Sequence, residues 1–76
     1  MNPVTIYTSS GCEYCHEAKA FLKEHNIQFT EYNISKDKEA RMDVMKKGYR
    51  SVPLIMVGDK VIIGFDRREV SELLGL

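Results

Sequence analysis

Seventy-six residues suffice for one domain, spanning residues 1–76, with a modest core and a stability of a few kcal/mol. Eleven Lys and Arg balance eleven Asp and Glu for a formal net charge of zero, so no overall field draws the chain to nucleic acid or to an anionic membrane. No stretch approaches the ~20 apolar residues that cross a bilayer. The opening Met1-Asn2-Pro3-Val4-Thr5 lacks the basic, apolar and cleavage regions of an export signal. A cytoplasmic location is therefore expected, where thiols stay reduced and a cysteine pair is more often catalytic or metal-binding than a structural staple.

Val4 to Thr8, VTIYT, is β-branched and aromatic and predicts a buried strand. After Ser9-Ser10-Gly11 the period changes. Cys15, Ala18, Phe21, Leu22 and His25 fall on one face at helical spacing, with Glu17, Lys19, Lys23 and Glu24 mostly on the other. Gln28 to Ile34 alternates with period two, which predicts a second strand. Ser35 is placed to cap a helix running to about Lys47, with Ala40, Val44 and Met45 on its inner side and Gly48 as its stop. Val52 to Val57, the turn Gly58-Asp59 and Lys60 to Gly64 predict a hairpin. Asp66-Arg67-Arg68-Glu69 is a capping arrangement for a last short helix, with Val70, Leu73 and Leu74 inward. The order β-α-β-α-β-β-α implies an α/β fold, a small mixed sheet with helices packed over it.

Both cysteines lie in GCEYCH, Gly11 to His16, which carries two chemistries. As C-x-x-C-H it is a c-type haem attachment motif; as C-x-x-C it is a thiol-disulfide centre. Small c-type cytochromes are helical, need a further axial ligand and are exported, whereas this motif follows a core strand without an export signal. Thiol chemistry is the better fit, and His16 becomes a helix-surface residue. A thiol at the head of a helix sits where unpaired backbone N–H groups and the positive end of the dipole stabilise a thiolate, which makes Cys12 the expected nucleophile. Cys15, about one turn deeper, is within disulfide reach and more shielded, the position of a resolving thiol.

CEYC at Cys12 to Cys15, SVP at Ser51 to Pro53 and GFD at Gly64 to Asp66 follow VTIYT in an order and spacing that resemble the glutaredoxins over essentially the whole chain. The resemblance implies a thioredoxin fold with a four-stranded mixed sheet and glutathione-dependent reduction of protein disulfides and glutathione mixed disulfides. It further implies that Tyr14 is an active-site tyrosine, that Pro53 is cis and faces the cysteines, and that the Val52 backbone pairs with the cysteinyl part of glutathione. Phe65 and Asp66 match the positions that hold the γ-glutamyl end. The physics is consistent with such roles: a peptide-like thiol substrate needs backbone pairing beside the sulfur, which the Ser51-Val52-Pro53 segment can offer. Arg50, Lys46 or Lys47 can meet the glycyl carboxylate. From the residues alone, Pro53 reads as a trans proline at a strand edge, and Asp66 can equally cap its own helix.

Many glutaredoxins carry Pro where this chain has Glu13, and Lys where it has Ser9 and Ser10. Both departures work against the Cys12 thiolate. GYRSVP, Gly48 to Pro53, and Gly64-Phe65 also resemble the NrdH-type redoxins, which take electrons from thioredoxin reductase, so that reductase is the alternative donor. The expected partners are glutathione and disulfide-containing proteins, with the chain a monomer and no metal or organic cofactor required. A metal module, including a glutathione-assisted iron-sulfur dimer, would need His16, His25, carboxylates or a second subunit to complete its ligands.

Overall fold

The computed structural model describes residues 3–76; Met1 and Asn2, part of the expected 1–76 domain, lie outside the described residues. The elements are β1 (Val4–Thr8), α1 (Glu13–Glu24), β2 (Thr30–Asn33), α2 (Lys38–Lys46), β3 (Leu54–Val57), β4 (Lys60–Ile63) and α3 (Arg67–Leu74), the expected order. The sheet runs β2-β1-β3-β4. β2 is parallel to β1 through the α1 crossover, and β3 and β4 are antiparallel additions, with Tyr7 opposite Leu54 and Leu54 opposite Ile63.

Alternation along the strands divides the core between the two faces of the sheet. Val4 and Ile6 of β1 and Ile55 and Val57 of β3 meet Ala18, Phe21 and Leu22 of α1 and Val70 of α3. On the opposite face Tyr7 and Leu54 meet Ala40 and Val44 of α2. Helices therefore cover both faces, and the sheet's mixed pattern leaves one end free, where β1 runs out and β3 begins.

Several local expectations are corrected. The helix α2 is capped by Asp37 rather than Ser35: Lys36 and Asp37 N–H both donate to the Asn33 carbonyl, and Ser35 N–H to Asn33 Oδ1, so the chain completes a turn before it can become helical. Asp37 is extended (φ −113°, ψ 101°) and its Oδ1 accepts from Ala40 N–H at 3.1 Å, the geometry of an N-cap. Ser35 Oγ instead accepts from Ser10 N–H at 3.1 Å, tying the β2–α2 turn to the loop before the cysteines. Met45 does not face inward. It is 65% exposed, because the inner stripe is taken by Ala40 and Val44 one turn apart and Met45 lies a further helical step round. The second strand is shorter than Gln28 to Ile34 and mostly exposed, since it is an edge strand. His25 is exposed at the C-cap of α1, its ring against Phe21 at 4.4 Å. Gly48, with φ 87°, follows the helix as its stop, and Asp66 caps α3 as the sequence suggested.

Candidate active site

β1 ends in buried Thr8, and Ser9, Ser10 and Gly11 turn the chain into α1. Gly11 holds φ 78°, a conformation in which a side chain would be strained, and this turn sets Cys12 at the helix head. Cys12 is the N-cap of α1 (φ −89°, ψ 110°), and its Sγ accepts from Cys15 N–H at 3.2 Å. Sulfur thus stands where Ser or Asp normally caps, pointed at the unpaired N–H groups of the first turn. Both cysteines are free thiols; Cys12 is half-buried and Cys15 is 1% exposed. Burial, with the adjacent Cys12 sulfur adding to it, pushes the Cys15 thiol up to about 12, against the opposing pull of the Ser9 backbone and of Lys19. The pair is asymmetric: one sulfur reachable and accepting one helix N–H, the other enclosed and held as a thiol.

The antiparallel register that sets Tyr7 against Leu54 carries Pro53 beside the end of β1, next to this loop. The Val52–Pro53 peptide is cis, and Pro53 is buried. Among the described residues no backbone hydrogen bond takes up the Val52 N–H or C=O, which leaves them available to an extended ligand. Gly64 N–H donates to the Pro53 carbonyl at 2.8 Å, so Phe65 and Asp66 follow at the same end of the sheet. Tyr14 stands on the first turn of α1, 65% exposed.

Phe65 is turned toward the core: its ring lies 5.7 Å from that of Phe21, packed on the α1 and α3 cluster. Its side chain is a packing element that stays partly exposed. Asp66 Oδ1 accepts from Arg68 N–H at 3.0 Å and Glu69 N–H at 3.2 Å. Capping therefore occupies one carboxylate oxygen, while Oδ2 accepts no hydrogen bond among the described residues. Arg50 and Ser51 are exposed and, with Val52, line a cavity of about 370 Å³ between the preceding loop and α2. Lys47, the C-cap of α2, lies 3.7 Å from Asp43 one turn back, both exposed, and neither Lys47 nor Lys46 lines that cavity.

Two features escaped sequence reasoning. Arg41 lines the same cavity as Arg50, and only the packing of α2 on the sheet turns that position toward the Val52 loop. The second is a network behind the cysteines. Thr8 Oγ1 donates to Glu31 Oε2 at 2.7 Å and Lys19 Nζ reaches the same oxygen at 3.0 Å. The Thr8 hydroxyl first, and then Lys19, hold the Glu31 carboxyl below its usual range despite some burial. Lys19 follows Cys15 by one helical turn, so this network braces the strand end and the helix between which the cysteines sit. Among the described residues, no three His, Cys, Asp or Glu side chains converge as metal ligands, and no helix is long and apolar enough to cross a membrane.

The glutaredoxin family model matches residues 4–62. The glutaredoxin-like protein NrdH of Lactococcus lactis subsp. cremoris is 36% identical over 70 residues, which cover 92% of this chain and 97% of that protein. A glutaredoxin of Pseudomonas aeruginosa is 34% identical over 76 residues, covering 99% and 90%. Among solved structures, the NrdH-redoxin of Escherichia coli superposes with a TM-score of 0.85 at 28% identity, covering 93% of each chain. With the same fold, and a family match that begins in β1 and ends in β4, the chain belongs to the glutaredoxin family and is a thiol-disulfide oxidoreductase.

Proposed function

We propose that the chain reduces disulfides of proteins, and mixed disulfides of glutathione, through Cys12 as nucleophile and Cys15 as resolving thiol, with reduced glutathione as the electron donor. The observation that carries this reading is the hydrogen bond from Cys15 N–H to Cys12 Sγ beside an enclosed Cys15. The N–H is aimed at the reachable sulfur, and the enclosed Cys15 stands one turn behind it to resolve the mixed disulfide. The Cys12 thiolate displaces one sulfur of the target disulfide, which leaves as a thiolate and takes up a proton. Cys15 then loses its proton and attacks Cys12 Sγ, expelling the second target thiol and closing the Cys12–Cys15 disulfide. Two glutathione thiols reopen it, leaving as oxidised glutathione, so two electrons pass at each stage. Glutathione is a co-substrate, and the reaction calls for no metal or organic cofactor.

Support for glutathione comes from the open Val52 backbone, the unused Asp66 oxygen and the arginines of the neighbouring cavity. An ammonium group meets Asp66, the cysteinyl backbone pairs with Val52, and the glycyl carboxylate meets Arg50 or Arg41, each a charge-assisted or backbone bond suited to one part of the tripeptide. Tyr14, Ser51 and the Phe65 backbone complete the surface. A second reading is favoured by the NrdH relatives: reduction by a thioredoxin reductase, with the Asp66 carboxylate serving α3 alone. The oxidised protein incubated with reduced glutathione, and separately with thioredoxin reductase and NADPH, distinguishes the donors. Thiol recovery with glutathione is expected; recovery with the reductase alone replaces the first reading by the second. The chemistry suits a monomer in the cytoplasm, where both donors occur.

A further inference from the structure

The cavity beside Val52 has an apolar wall as well as two cations. Its 370 Å³ are lined by Tyr7, Val44, Met45 and Tyr49, together with Arg41 and Arg50. Met45 is 65% exposed and carries no packing duty in the α2 stripe, and both arginines are exposed. Ser51 and Val52 also line it, so the cavity is continuous with the segment whose backbone is open to an extended ligand. A ligand whose cysteine lies against Val52 with its N-terminal side toward Asp66 carries its next residue toward this cavity. In glutathione that residue is glycine, which has no side chain to bury. A carboxylate accounts for the arginines, but nothing in the tripeptide occupies the apolar wall.

We infer that this cavity is a selectivity pocket for protein substrates, accepting a bulky apolar side chain on the residue that follows the target cysteine, with an acidic group beyond it meeting Arg41 or Arg50. The inference rests on the dithiol reading above. Apolar lining supplies affinity by removing that side chain from water, and the two cations set the sign of the charge that goes with it. Pockets of a few hundred Å³ with convergent polar groups are the usual size for such recognition.

The test uses the full chain in its reduced form and disulfide-linked homodimers of acetyl-Ser-Cys-Leu-Glu-amide, or of the same peptides with Gly for Leu or Lys for Glu. Each turnover converts one peptide disulfide and the two protein thiols into two peptide thiols and the Cys12–Cys15 disulfide. No electron donor enters, so the donor question does not affect the result. Peptide thiol release in a single turnover, measured after acid quench, is expected to be about tenfold faster for Leu-Glu than for Gly-Glu, the worth of one partly buried apolar side chain. Met45→Glu should bring that ratio close to one, and Arg50→Glu should reverse the preference for Glu over Lys. Equal rates for the Leu and Gly peptides, or a ratio that survives Met45→Glu, overturns the pocket and leaves the dithiol chemistry standing. Reduction of neither peptide overturns both.

Discussion

Two cysteines of one helical turn differ because their surroundings do. Cys12 occupies a cap position, with a backbone N–H at its sulfur, and Cys15 is enclosed. In the proposed mechanism Cys12→Ser abolishes exchange, whereas Cys15→Ser leaves the first attack intact and accumulates mixed disulfides, visible as added mass on the intact protein; substantial turnover in Cys12→Ser would reassign the nucleophile. The enclosure of Cys15 has a second consequence. Its thiol ionises near 9.0 in the unfolded chain but at about 12 in the fold, so between those values the unfolded state has shed a proton that the native state still holds. Stability of the reduced protein is therefore full below pH 9.0 and falls as the pH rises toward 12, with a slope of at most about 1.4 kcal/mol per pH unit. Urea unfolding across that window should be visibly flatter for Cys15→Ala than for the parent chain; identical slopes would mean that burial does not govern the thiol.

Helix ends do double duty in this fold. Cys12, Asp37 and Asp66 are N-caps, yet the first is also a thiol, and the glutathione reading proposed above gives the last a second role toward an ammonium group. The two roles of Asp66 separate in two substitutions. Asp66→Asn keeps a side-chain oxygen for the Arg68 and Glu69 N–H groups but removes the charge, so it should melt close to the parent while glutathione binds more weakly by about 1–3 kcal/mol. Asp66→Ala should lose the cap as well and cost about 1 kcal/mol of stability. If Asp66→Asn leaves the glutathione dependence of turnover unchanged, Asp66 serves α3 alone and the reductase reading gains. At Asp37 only the structural effect is expected: Asp37→Ala lowers stability by about 1 kcal/mol, while Ser35→Ala leaves α2 in place and loosens the hold on Ser10. Thermal melts and glutathione kinetics of these variants check both.

Across the whole molecule the site is a meeting of elements distant in sequence. The Thr8–Glu31–Lys19 network joins β1, β2 and α1 through one carboxylate oxygen. The pairing of Lys19 with Glu31 is partly exposed and contributes little by itself, but the Thr8 hydroxyl is buried and depends on that oxygen. Glu31→Gln should lower stability at neutral pH by about 1 kcal/mol. Because the Glu31 carboxyl is held below its ordinary 4.5, its contribution is present above that pH and is lost as the pH falls through the native value. The gap between parent and variant should accordingly close in acid; a gap independent of pH would show that charge is not what the network uses.

The order of elements, the helix beginning at the cysteines, the hairpin and the cap of α3 were legible in the chain, because period, turn residues and cap residues act within a few positions of one another. The thiol pair was legible for the same reason, since its chemistry depends on i and i+3 at a helix head. Tertiary structure decided what spacing leaves open. Ser35 Oγ holds the distant Ser10 N–H while Asp37 caps α2; Met45 faces solvent because the sheet accepts only one stripe of α2; Phe65 packs inward because α1 offers Phe21. Likewise, Arg41 joins the Val52 loop, and Glu31 joins Thr8 and Lys19, only once β2 lies beside β1 and α2 covers the opposite face. Local sequence determines which residues can cap a helix and which can react, whereas the pairing of strands and the choice of buried face determine which distant side chains share a pocket, and those are set by packing that no short stretch contains.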